Sequence, residues 1–163
     1  MSGEEEIKRK LDDAETDSQS KKSAKLEYIK VEPYLYFNGN AREALDFYSN
    51  ALKTDSKTIR TYGDDPHALV PEDRKDKIMH ATINLEGNAN IMLADYYPEK
   101  DPLVVGGNIS LSVFIENAQR VREIYDALAV GGDAYMPLGP VPWGGSYGQV
   151  KDKFGVNWMF STN

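Results

Sequence analysis

The chain carries one short pattern twice, 77 residues apart. Tyr36-Phe37-Asn38-Gly39-Asn40-Ala41 leads to Tyr48, and Val113-Phe114-Ile115-Glu116-Asn117-Ala118 leads to Tyr125. At that offset Phe37 falls on Phe114, Asn40 on Asn117, Ala41 on Ala118 and Tyr48 on Tyr125. The apolar positions between them keep the same phase: Ala44 with Val121, Phe47 with Ile124, Ala51 with Leu128. Duplication is the better reading, because a repeated unit repeats its buried face.

Each copy reads as a strand, a helix and three strands. In the first, residues 31–37 form a strand. Asn40 offers a helix cap with Glu43 three residues on. Ala41, Ala44, Leu45, Tyr48, Ala51 and Leu52 make one helical stripe. Strands follow at 57–62, 78–85 and 90–95, with a long polar loop over 63–77 that holds Pro66 and Pro71. The second copy has a strand at 109–114 and a helix over 117–130 closed by Gly131-Gly132. Its strands lie near 134–138, 147–152 and 156–161. The fold class is therefore α+β, built of two βαβββ modules, module one over about 28–98 and module two over about 107–163. A ferredoxin-like βαββαβ order is rejected because three strands, not two, follow each helix.

The formal charge of -7 argues against a nucleic-acid-binding body. No apolar run approaches the ~18 residues of a membrane span. Without cysteine there is no disulfide, thiolate nucleophile or Cys-ligated metal. Residues 1–27 are rich in Glu, Lys, Asp and Ser and bury too little to offset ordering, so they read as a disordered charged tail. Lys8-Arg9-Lys10 and Lys21-Lys22-Ser23-Ala24-Lys25 are spaced like a bipartite nuclear-import signal, and the alternative is a solvated charge run, which polar tails produce easily. The location expected is cytoplasmic. In a eukaryote it extends to the nucleus, with an importin as partner.

Three separated motifs then carry a family resemblance. The stretch from Tyr34-Leu35-Tyr36-Phe37-Asn38-Gly39-Asn40-Ala41 to Tyr48 resembles the opening of the PhnB-like branch of the vicinal-oxygen-chelate superfamily. His80-Ala81 with Ile91-Met92-Leu93-Ala94-Asp95 resembles its middle strands. The stretch from Gly148-Gln149-Val150-Lys151-Asp152 to Met159 resembles its C-terminal signature. The resemblance covers about residues 34–161. It implies the glyoxalase/bleomycin-resistance fold, with curled mixed sheets around a shared cavity, and a homodimer. Members are often described as ubiquinone methyltransferases, but the chain has no glycine-rich methyl-donor site.

The superfamily's metal enzymes place His, Gln or Glu ligands on the first and last strands of each module. Carried over, that pattern gives only Glu32, His80 and Asp95 as weak candidates. No His occurs at Asn108 to Ser110, and Phe160 stands where a Glu is common. No metal or other cofactor is expected. His80 alternates in its strand with Met79, Ala81, Ile83 and Leu85, the face expected to pack on the helices. His80 and Thr82 then look into the cavity, or His80 merely bonds a neighbouring strand. Ser112 and Phe114 share a face, and the 77-residue offset puts Leu35 and Phe37 on the same side in module one. Asp95, Trp143 and Tyr147 complete the candidate pocket. His67, in the Pro-rich loop, is expected at the surface. The glycine-rich stretch from Gly139 to Gly148 serves either as a tight hairpin or as a pocket wall. The leading reading is a PhnB-like small-molecule-binding protein without a metal centre. Its rivals are a metal-dependent lyase, isomerase or dioxygenase, and a dimeric adaptor with a nuclear-import tail.

Overall fold

The computed structural model describes residues 30–64, 66–67, 69–96 and 103–163. Residues 32–163 form one compact unit. The tail expected at 1–27, with its basic clusters, lies outside the described residues. Module one runs β1 (Tyr34–Phe37), α1 (Ala41–Ala51), β2 (Lys57–Thr61), β3 (Ile78–Asn84) and β4 (Asn90–Asp95). Module two runs β5 (Ser110–Phe114), α2 (Ala118–Ala129), β6 (Asp133–Pro140), β7 (Ser146–Lys151) and β8 (Asn157–Thr162). The sheet orders are β1-β4-β3-β2 and β5-β8-β7-β6, so both modules share one topology. In each, the first strand lies parallel to the last and the other pairings are antiparallel. No helix of the described residues is long and apolar enough to cross a membrane.

The two helices start differently. Asn117 caps α2 as expected, its side-chain oxygen accepting the Arg120 N–H at 3.0 Å. Asn40 makes no such bond on α1. There the carboxylate of Asp95 accepts the Ala41 N–H at 2.9 Å with one oxygen and the Ile78 N–H at 2.8 Å with the other. A negative group at a helix N-terminus is favoured by the exposed N–H groups and by the helix dipole. Glu43 is drawn away to Lys153, 2.6 Å distant.

Each sheet buries one face under its helix and keeps the other open. Leu35, Phe37, Ala81, Ile83, Ile91 and Leu93 line the helix side of the first sheet. Leu111, Val113, Val150, Trp158 and Phe160 do so in the second. One core joins these two helix-side faces. Phe154, in the β7–β8 turn, packs its ring on Phe37 at 5.6 Å, Phe47 at 5.6 Å and Tyr48 at 5.8 Å. Asp152 is buried beside it. One of its oxygens accepts from Tyr48 Oη and from Trp158 Nε1, both at 2.8 Å. The other accepts the N–H groups of Phe154 and Val156, at 2.9 and 3.0 Å. Ion pairs Lys53–Glu123, Arg120–Glu86 and Lys153–Glu43 cross between the modules as well.

Two details of phase depart from the sequence reading. In β3, Ile78 is buried and Met79 exposed, the reverse of the alternation expected. Pairing with β2 steps from His80 opposite Arg60 to Ile78 opposite Thr61, so Met79 sits in a bulge that flips the strand by one residue. The 77-residue offset also fails in the first strands. Phe37 faces the helix, whereas Phe114 faces outward and is 55% exposed. Three residues (Asn38, Gly39 and Asn40) join Phe37 to α1, but only Glu116 and Asn117 join the core-packed Ile115 to α2. Gly39, at φ 84, accommodates the extra residue. Strand register therefore equates Tyr34 with Ser112 and Tyr36 with Phe114, an offset of 78. Later strands equate His80 with Tyr147, Thr82 with Gln149 and Met92 with Met159, an offset of 67. The change of eleven is the difference between the 16-residue β2–β3 loop and the five-residue β6–β7 turn.

The sheets do not close around a shared cavity within one chain. Both open faces lie outside the common core, and the two sheets share no strand pairing.

Candidate functional site

The open face of module one carries Tyr34 and Tyr36 from β1, Thr58 and Arg60 from β2, His80 and Thr82 from β3, and Met92 from β4. The facing of these residues follows from strand alternation, since residues in register across a sheet share a face. His80 is held on both sides: Tyr34 Oη lies 3.0 Å from Nδ1, and Thr82 Oγ1 lies 3.1 Å from Nε2. Either tautomer satisfies both contacts, because each hydroxyl can donate or accept. Burial raises the Tyr34 phenol above its ordinary value, helped by its neighbours Tyr36 and Tyr62, so it stays neutral and free to donate or accept. The Tyr34 ring also packs on Tyr36, 5.0 Å between centroids.

The open face of module two is less polar. Ser112, Phe114, Met136, Tyr147, Gln149, Met159 and Ser161 share it. The Gln149 amide donates to the Tyr147 hydroxyl. This pair stands at the positions equivalent to Thr82 and His80. One duplicated hydrogen-bonded pair has thus diverged into two chemistries.

Of the residues marked in the sequence, His80, Thr82, Ser112, Phe114 and Tyr147 fall on these open faces, three on module two and two on module one. Asp95 does not. It is turned to the helix side, where both its oxygens hold backbone N–H groups. Trp143 lies in the β6–β7 turn, 78% exposed. That turn is a tight hairpin: Val141 N–H donates to Gly145 O, Gly144 N–H donates to Val141 O, and both glycines have positive φ. His67 is exposed in the β2–β3 loop, and Glu32 precedes β1, half-buried. Sequence reasoning missed Tyr34, Tyr36, Arg60, Gln149 and Met159. The signal for Tyr34 and Tyr36 was their i, i+2 spacing in one strand; for Arg60 it was available only through pairing with His80.

Two clefts border these faces, the first touching Ser112 and Phe114 and the second Tyr34 and Tyr36. One of about 540 Å³ runs along β5 and is lined by Lys53, Thr54, Glu86, Asn90 and Arg120 among others. Its charges are already matched, with Arg120 forked onto Glu86 at 3.0 and 3.2 Å and Lys53 on Glu123. A smaller cleft of about 340 Å³ lies beside β1 and reaches Tyr34, Val104, Ile109 and Phe154. Neither cleft includes His80, Thr82 or Tyr147.

The comparisons with known proteins meet this geometry. A family model described as 3-demethylubiquinone-9 3-methyltransferase matches residues 29–161. The chain belongs to this PhnB-like family. It is 36% identical to the crystal structure of protein PA1353 from Pseudomonas aeruginosa, covering 83% of this chain and 98% of that one, with a TM-score of 0.73. A PhnB protein from Bacillus cereus, provisionally described as the same methyltransferase, is 28% identical over 83% of this chain and 100% of its own, TM-score 0.63. A glyoxylase/bleomycin resistance protein/dioxygenase domain from Frankia sp. EAN1pec, 16% identical over 84% of this chain and 99% of its own at TM-score 0.58, shares the fold alone.

Two groups implied by these relatives can be tested against the residues. A methyl-donor site of the doubly wound type needs an open, glycine-rich helix entrance. Here Asp95 already occupies the Ala41 N–H, and Lys77 Nζ donates to Gly39 O at 2.7 Å across the β1–α1 turn. That entrance does not fit the donor. A metal of the superfamily type needs three converging ligands, and among the described residues no such His, Asp or Glu group exists. Phe160, at the position where a Glu is common, is buried in the core.

Proposed function

We propose that the chain is a small-molecule-binding protein whose site is made by the open sheet faces of two copies. The observation that carries this reading is the uncovered, mixed face of each sheet. Tyr36 is 52% and Phe114 55% exposed beside hydrogen-bonded pairs, His80–Thr82 in one module and Tyr147–Gln149 in the other. Apolar rings with a few fixed polar groups are the composition of a ligand pocket. A two-fold axis sets module one of each chain against module two of the other, so both faces are covered at once. The basic, hydroxyl-rich face then meets a neutral, apolar one, which avoids like-charge contact. Light scattering tests this: the expected mass is near twice 18.3 kDa. Phe114→Glu should give a folded monomer that binds no ligand. A wild-type mass of one chain across micromolar concentrations would refute the shared site.

A further inference from the structure

The open face of module one has an unusual charge balance for this chain. There are 26 Asp and Glu residues against 19 Lys and Arg overall. Yet the four strands of module one contain a single carboxylate, Asp95, and it is turned to the helix side and doubly hydrogen-bonded. What remains on the open face is the Arg60 guanidinium, the His80 imidazole and the hydroxyls of Tyr34, Tyr36, Thr58 and Thr82. Arg60 is directly opposite His80 in the β2–β3 ladder. Asp64, just past β2, is an acid close enough for Arg60 to act on it. It is occupied by the Thr61 N–H at 2.7 Å, which holds its carboxyl below the usual range, with Arg60 and Arg42 adding to the effect. Asp64 is solvent-exposed, so water screens its pull on Arg60. Module two shows the contrast: Gly139 and Tyr147 pair where Arg60 and His80 pair in module one, and the surrounding residues are Phe114, Met136 and Met159.

From this juxtaposition we infer that the ligand is a small organic anion with an apolar body. Its acidic oxygens lie on Arg60 and the Tyr34–His80–Thr82 group, and its apolar part lies against Phe114, Met136 and Met159 of the second copy. A guanidinium presents paired N–H donors to a carboxylate, phosphoryl or sulfonate group alike. The inference rests on the open faces being the binding surface, as proposed above.

A matched pair of fluorescent probes separates the two claims. 1-Anilinonaphthalene-8-sulfonate and N-phenyl-1-naphthylamine share one aromatic body, and only the first carries an anion. Wild-type protein should bind the sulfonate about tenfold more tightly than the neutral probe. Arg60→Gln should remove that preference and leave the neutral probe within about twofold, since only the charge-assisted bond is lost. Tyr34→Phe, which deletes one hydroxyl and no charge, should weaken the sulfonate by about threefold. Phe114→Ala should weaken both probes together. Equal affinities in the wild type, or a sulfonate preference that survives Arg60→Gln, would overturn the anion inference while leaving the pocket standing. Failure of both probes to bind the wild type would overturn the pocket reading and the inference with it.

Discussion

Replacing Tyr48 and Asp152 singly and together should produce a change of sign. Asp152 is buried and accepts four hydrogen bonds, two of them from side chains that never reach water, Tyr48 and Trp158. Tyr48→Phe removes one donor and leaves the carboxylate with three. The loss is one charge-assisted bond at the low end of its range, about 1–2 kcal/mol. Asp152→Ala strands both buried donors and loosens the β7–β8 turn. At about 1–3 kcal/mol for each unsatisfied group, less what the turn N–H groups recover from water, it should cost about 3–5 kcal/mol. In that background the Tyr48 hydroxyl is itself an unsatisfied group, so adding Tyr48→Phe should be neutral or stabilising. Urea unfolding gives the four free energies of the cycle. Trp158 fluorescence in a Trp143→Phe background follows the clamp, because Trp143 is exposed and Trp158 lies against Asp152. Additivity of the two changes within about 0.5 kcal/mol would refute the clamp, since uncoupled sites add to that accuracy.

The same phenol should govern alkaline stability. Burial first, then the adjacent Asp152 charge and its hydrogen bond, hold the Tyr48 pKa far above the ordinary 10. The folded chain therefore keeps a proton that the unfolded chain loses above pH 10. This phenol contributes no pH dependence below that pH and should lower stability by about 1.4 kcal/mol per unit above it, a slope that Tyr48→Phe reduces by one proton in denaturation curves. Asp95→Ala leaves the Ala41 and Ile78 N–H groups bare in the core and should cost about 2–4 kcal/mol in urea melts. Gly145→Ala should be destabilising by more than Gly144→Ala in thermal melts. At Gly145 φ is 69 and a Cβ would collide with the Thr162 carbonyl, whereas at Gly144 φ is 99 and nothing lies within 4 Å. His80→Ala should cost about 1 kcal/mol or less, because its half-exposed site can hydrate, while weakening sulfonate-probe binding by more. The opposite order would make His80 a structural residue.

The architecture was legible because it rests on apolar periodicity. The stripe from Ala41 to Leu52 and its copy from Ala118 to Leu128 specify two helices, and the strands follow from what is left between glycines and prolines. The faces of the strands were less legible, because a single inserted or bulged residue inverts every side chain beyond it. The identity of Phe37 with Phe114 matched two residues on opposite sides of their sheets. The bulge at Met79 exchanged Ile78 for Met79 in the core without any turn residue to announce it. Asp95 and Asp152 were beyond reach for another reason. A buried carboxylate is defined by the donors around it, and those of Asp95 come from positions 17 and 54 residues away in sequence. Arg60 became a candidate only when strand pairing set it beside His80.

The Tyr48–Asp152 bond also bears on how the chain is made. Its partners are 104 residues apart. At roughly 5–20 residues per second, the ribosome delivers Asp152 some 5–20 s after Tyr48. Once Asp95 has followed, the first module has its own strands, β1 to β4, and can pair them. It still lacks Trp158 and Phe154, whose rings cover Tyr48. The earlier half of the duplication is thus a nascent intermediate with an exposed aromatic surface. Its maturation waits for the β7–β8 segment that carries Asp152, Phe154 and Trp158.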